Sequence, residues 1–165
     1  MRKPKRATVA VVAVLIVLAA SVGVLAVLNR ERVEEKQQRL DDEYFVIAAN
    51  ETDYTITMVE FMAFEQREFQ ATLKKNGLAP ESRVFAGVPF AELLQANEID
   101  TAERTSAVFE AADGYVSAIP LEEALDGENC YIVIDRGGDG PFRMILAKDQ
   151  FSQRWCKLLT DITLK

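Results

Sequence analysis

An α+β fold preceded by a single transmembrane helix is what the sequence predicts, and three observations predict it. Residues 7–28, ATVAVVAVLIVLAASVGVLAVL, carry no charge, and at about 1.5 Å per residue such a run crosses a hydrocarbon layer about 30 Å thick. From residue 43 onward, short runs of β-branched, aromatic or alternating residues recur, each closed by a Gly, Pro or Asx turn. Between them lie apolar stretches of one or two turns that open on Pro or on Thr-x-x-Glu, too short to form a bundle. Seven to nine short strands interspersed with three or four short helices predict the α+β class with a mainly antiparallel or mixed sheet.

Taken in order, the tail 1–6 holds Arg2, Lys3, Lys5 and Arg6. By the positive-inside rule this tail stays in the cytoplasm, residues 7–28 anchor the chain in the cell membrane as a single pass, and everything beyond is extracytoplasmic. The competing reading is a cleaved signal peptide. Its apolar core normally runs to about 7–15 residues before an A-x-A exit, and this run is longer and shows no such exit. Residues 29–42, NRERVEEKQQRLDD, are polar almost all round, with Glu31/Glu35 and Arg32/Lys36 at helical spacing. They predict a solvated helical stalk with no stripe to bury.

The domain proper is expected over residues 43–165. YFVIA at 44–48 and YTITM at 54–58 read as strands. Thr57 and Glu60 form a capping-box pattern ahead of a short helix ending near Glu65. Phe69, Ala71 and Leu73 share one face of a strand that Asn76-Gly77 turns. RVFAGV at 83–88 is the next strand, and Pro89 opens the helix PFAELLQAN. Strands at 106–111 and 115–119 flank Ala112-Asp113-Gly114 as a hairpin. Pro120 starts a one-turn helix; NCYIVID at 129–135 is apolar on both faces, as a central strand would be; and FRMILA at 142–147 follows a glycine loop. Beyond Asp149 the pattern suits a short helix and then a strand from about Trp155.

Composition removes several function classes. The 165 residues include no histidine and two cysteines, Cys130 and Cys156. Histidine-based triads, His/Cys zinc sites and four-cysteine clusters are therefore excluded. Beyond residue 28, 15 bases face 26 acids, a balance of −11. Such a domain repels a phosphate backbone, so no nucleic-acid partner is expected.

FAGVPFAELL at 85–94, FEAADGYVSAIPLEEAL at 109–125, GPFRMILA at 140–147 and QRWCKLLTDITL at 153–164 occur in an order that resembles the oxidoreductase molybdopterin-binding domain, the sulfite-oxidase-like fold. The resemblance covers about residues 67–164. It implies a groove in which polar and basic groups hold a pterin and its phosphate while a cysteine thiolate holds molybdenum. That cysteine lies within a segment like T-L-x-C-x-G, and here Thr72-Leu73-Lys74-Lys75-Asn76-Gly77 places Lys75 at its position, beside Asn76. An ammonium has no lone pair to offer a soft metal. The family's R-S-V-K segment aligns with Arg154-Trp155-Cys156-Lys157, and its strand arginine with Arg143; both imply anion binding. Asp113-Gly114-Tyr115 matches the family's DGY.

Each of these residues also has a plainer role. The cations can pair with abundant surface acids, Trp155 can be core rather than a stacking platform for a pterin, and Asp-Gly suits a turn. The adjacent pair Glu122-Glu123 reads as solvated charge. Cys130 and Cys156 can pair as a disulfide on the extracytoplasmic side or stay as buried thiols. The sequence thus predicts a membrane-anchored binding module for a small anionic or heteroaromatic ligand, such as a pterin or molybdopterin held without a protein thiolate, or for a partner protein. The alternatives are an oxidoreductase subunit with non-cysteine metal ligation, and a structural subunit docking a membrane redox protein.

Overall fold

The computed structural model describes residues 6–74, 79–135, 137 and 140–165, with side chains from residue 13 onward. The chain divides into two units, Met1–Glu35 and Lys36–Lys165. Helix α1 (Arg6–Asp41) supplies nearly all of the first. Its stretch Ala13–Asp41 contains a window of mean hydropathy 2.2 with no buried residue, long and apolar enough to cross a membrane. Val14 to Leu18 are each more than half exposed, a disposition that costs free energy in water and none in hydrocarbon. Past the apolar run, Arg30 Nε donates to Glu34 Oε1 at 2.7 Å, one turn away.

The second unit begins with the end of that helix. Lys36 Nζ donates to Glu110 Oε2 at 3.0 Å and to the Ala111 carbonyl at 3.4 Å. Arg39 pairs with Asp161. This departs from the solvated stalk expected over residues 29–42: from Lys36 on, the helix is part of the domain. It docks by charge complementarity, which a search for an apolar stripe does not detect.

Among the described residues nine strands form two sheets, one mixed and one antiparallel, in the α+β class expected. The first has the order β2-β1-β9-β5-β6 and is mixed: β1 (Tyr44–Ala49) pairs antiparallel with β2 (Thr52–Thr57) and parallel with β9 (Leu159–Leu164). β5 (Ser106–Ala111) lies antiparallel to both β9 and β6 (Val116–Pro120). The second is antiparallel, β3 (Arg67–Leu73), β4 (Glu81–Pro89), β7 (Cys130–Ile134) and β8 (Phe142–Leu146) in spatial order. Internal β7 has four of its five residues buried, as its unbroken apolar run predicts.

The sheets share one core. Phe45 of β1, Phe61 of α2 (Met58–Met62) and Phe142 of β8 meet edge to face, with centroids 4.9 Å apart for Phe45–Phe142 and 5.2 Å for Phe61–Phe142. This geometry suits the aromatic quadrupole. α2 begins as its sequence dictates: Glu60 N donates to Thr57 Oγ1 at 3.3 Å while Thr57 N donates to Glu60 Oε2 at 2.9 Å. The bond from Thr57 N, with a second from Thr57 Oγ1 at 2.8 Å, holds the Glu60 carboxyl below its ordinary range.

Two expectations shift and one fails. Pro89 and Pro120 are N-caps with extended ψ (131° and 140°), not first helical residues, so α3 runs Phe90–Ala96 and α4 runs Leu121–Ala124. Each proline ends its strand and turns the chain in one step. The helix expected after Asp149 is absent; residues 149–154 form turns. Local polar side chains are drawn elsewhere: Ser152 Oγ accepts from Lys74 N at 3.3 Å, and Asp149 takes Arg154. Such bonds compete with helical ones. The turn expected at Asn76-Gly77 lies outside the described residues.

Candidate functional site

The hairpin between β5 and β6 is built by Asp113 and Gly114. Gly114 has φ +87°, which its missing Cβ permits, and Asp113 Oδ1 accepts from Tyr115 N at 3.0 Å. Opposite it runs the segment from Gln153 to Leu158, which passes from the second sheet to the first. At Cys156 it forms a single antiparallel bridge with Met144 on β8, and at Leu158 (φ +52°) it turns so that the Leu158 carbonyl accepts from Ala112 N at 2.9 Å before β9 begins.

Alternation along this segment sorts its side chains. Gln153, Trp155 and Lys157 line a pocket of about 220 Å³ together with Asp113 and Tyr115. Arg154 points the other way. Tyr115 Oη donates to the Gln153 carbonyl at 2.7 Å, and Ser117 Oγ donates to the Arg154 carbonyl at 2.7 Å, stitching hairpin to segment. Trp155 is only 4% exposed: its ring meets Phe85 edge to face at 5.5 Å and its Nε1 donates to the Leu146 carbonyl at 3.2 Å. It is a wall of the pocket anchored in the core, not a free stacking platform. Lys157 is exposed and forms no ion pair with the described residues.

The two arginines are otherwise engaged. Arg154 grips two carboxylates at once: Nη1 and Nη2 reach Glu123 at 3.0 and 2.7 Å, while Nε reaches Asp149 Oδ2 at 3.0 Å and Nη2 also contacts Asp149. The guanidinium holds the Glu123 carboxyl below its usual range, and the two carboxylates raise the arginine further. Glu123, expected to be solvated, is therefore half of a clamp that ties α4 to the pocket segment. Arg143 pairs with Asp135, just past the end of the neighbouring β7, and both are mostly buried. Neither arginine lines the pocket.

Of the eight residues proposed from sequence to bind a ligand, the structure gathers Asp113, Tyr115, Trp155 and Lys157. It sets Arg143 and Arg154 aside, and Lys75 and Asn76 lie outside the described residues. Gln153 was missed, although its spacing of two and four from Trp155 and Lys157 carries the signal. Glu123 and Asp149, the clamp partners of Arg154, leave no local mark in the sequence, because they reach it from a different element and from a turn.

The cysteines are both free and buried, so the candidate disulfide is not formed. Cys130 lies on β7 opposite Leu146, and Cys156 bridges Met144 on the other side of β8. Two strand spacings of about 4.8 Å each exceed the roughly 7 Å that a disulfide spans between Cα atoms. Burial raises both thiols, Cys156 up to about 12, where Asp113 and Glu110 add to the rise and Lys36 opposes it. Both thiols are packed in the core, and neither lines the pocket. No cluster of three or more His, Cys, Asp or Glu side chains suited to a metal occurs among the described residues. The residues present thus do not fit a molybdenum centre of the thiolate-ligated kind.

The fold is similar to that in the crystal structure of the sulfane dehydrogenase SoxCD from Paracoccus pantotrophus, with a TM-score of 0.60 and 15% identity over 74% of this chain. The matched region spans 38% of that chain. No family model matches the sequence, and no curated protein does.

Proposed function

We propose that the chain is a membrane-anchored, extracytoplasmic binding module on a molybdopterin-domain-like fold, which holds a small anionic heteroaromatic ligand of pterin size and carries out no molybdenum redox chemistry. The observation that carries this reading is the convergence of Asp113, Tyr115, Gln153, Trp155 and Lys157 on one pocket. Its volume, about 220 Å³, falls below the roughly 300–1,000 Å³ of sites for drug-sized ligands. A fused bicyclic ring is of a size to suit it.

The lining groups divide the work. Lys157 supplies a point charge for a ligand carboxylate or phosphate. Asp113 uses Oδ1 on its own turn, leaving Oδ2 to accept from a ring N–H, as an aminopyrimidine edge would provide. Tyr115 and Trp155 offer apolar ring surface with their polar tips already bonded to backbone. The four bases ahead of the apolar run support the extracytoplasmic placement proposed.

The test is a titration of the full chain in detergent with pterin-6-carboxylate, followed by pterin fluorescence. Saturable binding that weakens about tenfold or more in Lys157→Ala and in Asp113→Asn, with thermal melts unchanged, supports the reading. Absence of saturable binding to wild type, or equal affinities in all three proteins, contradicts it.

A further inference from the structure

A second cavity, of about 310 Å³, lies at the opposite end of the five-stranded sheet. The strand register sets the two apart: Ala111 pairs with Leu159 near the first pocket, whereas Ala107 pairs with Leu164 near the second. The β1–β2 turn, the end of β9 and Arg104 border it as an open cleft, with Asn50, Glu51, Asp53, Arg104, Thr163 and Leu164 among the lining residues.

Its opposite charges stand unpaired, in contrast to the ion pairs that three other cations of the domain make. Arg143, Lys148 and Arg154 have each closed onto a carboxylate. Arg104 lines a cavity with two carboxylates, Glu51 and Asp53, yet forms no ion pair with either. Its one side-chain partner is neutral, the Asn50 amide oxygen, which accepts from Nη2. Arg104 Nε is buried and has no acceptor among the described residues. Glu51 and Asp53 likewise have no side-chain hydrogen bond or ion pair among the described residues. The Asn50–Glu51 turn has two consecutive positive φ values, 53° and 62°, the two-residue hairpin geometry that fixes where these side chains leave the backbone. The guanidinium thus engages the Asn50 amide and neither acid.

Opposite charges that share a cavity without neutralising one another fit a ligand that itself carries both signs at short separation. We infer that this cavity binds a free α-amino acid, its carboxylate received by the Arg104 guanidinium and its ammonium by Glu51 and Asp53. The volume admits the backbone atoms and a side chain of moderate size, which would lie against Leu164 and the alanines of β1. This site is independent of the pocket beside Lys157.

Isothermal titration calorimetry of the full chain in detergent, run against the twenty L-amino acids with acetate and methylamine as single-charge probes, tests the inference. The expected result is saturable binding of at least one amino acid, with both single-charge probes at least tenfold weaker. Arg104→Gln, and separately the double variant Glu51→Gln/Asp53→Asn, lose tenfold or more in affinity while Lys157→Ala retains it. The double variant changes exposed side chains only, so it decides the matter even if Arg104→Gln fails to fold. Saturation by no amino acid, equal binding of acetate or methylamine, or undiminished affinity in the double variant overturns the inference.

Discussion

Replacing Arg154 by alanine removes the clamp between α4 and the pocket segment, and its cost follows from the exposure of the three groups. Arg154 is 43% exposed and Glu123 28%, so that pair is solvent-screened and contributes on the order of 0.5 kcal/mol. Asp149 is only 11% exposed; stripped of its guanidinium it keeps a largely desolvated charge without a partner, costing roughly 1–2 kcal/mol. The sum is about 2 kcal/mol, which for a unit of this size lowers the melting temperature by about 6–8 °C. The pH dependence has a definite sign. The Glu123 carboxyl is lowered from 4.5 in the folded state, chiefly by its hydrogen bonds to Arg154. Its contribution is therefore present above about pH 4.5 and is lost as pH falls through the lowered value. Thermal melts followed by circular dichroism should show the full gap between wild type and Arg154→Ala at pH 7 and a smaller gap at pH 3. Arg154→Lys, which cannot grip both carboxylates bidentately, should recover less than half of the loss. A melt of Arg154→Ala within about 1 °C of wild type at pH 7, or a gap that does not narrow on acidification, would refute this reasoning.

Three further outcomes are expected. Gly87→Ala would place a Cβ 2.6 Å from the Ile132 carbonyl and 2.7 Å from Val133 Cγ1; because the nearer atom is backbone, β4 and β7 must separate, at a cost of roughly 1–3 kcal/mol measurable by urea unfolding. Phe142→Ala empties the centre of the Phe45–Phe61–Phe142 cluster and should cost about 3–5 kcal/mol by the same measurement, enough to compromise folded yield. Neither Cys130 nor Cys156 should react with a thiol reagent at pH 8 in the native protein, since burial raises both; two equivalents should appear on unfolding. A fast native thiol, or an oxidised pair on a non-reducing gel, would contradict the packing described.

Much of the fold was legible because its signals are local. The Thr57/Glu60 capping box, the Asp113-Gly114 turn and the apolar run of β7 each depend on neighbours within a few residues, and each occurs as read. The division into two sheets was not legible: β9 joins β1 in parallel across more than a hundred residues, and no short-range pattern specifies that pairing. The bends and turn at 149–154 also defeated local reading, because a tertiary bond from Lys74 to Ser152 and a non-helical i,i+5 pair of Asp149 with Arg154 replace the helical pattern. The candidate pocket was half legible. Trp155 and Lys157 sit at alternating positions, and that alternation also turns Arg154 outward; a one-dimensional alignment of basic residues cannot distinguish a cation facing a pocket from one facing a carboxylate on α4.

The central claim is a binding module without a thiolate-held metal. It is tested most directly by elemental and pterin analysis of the full chain, extracted in detergent without refolding from cells able to make molybdopterin. The account predicts pterin, detected by fluorescence after oxidation, and no molybdenum above background by mass spectrometry. Stoichiometric molybdenum would contradict it and would require a ligand other than Cys130 or Cys156.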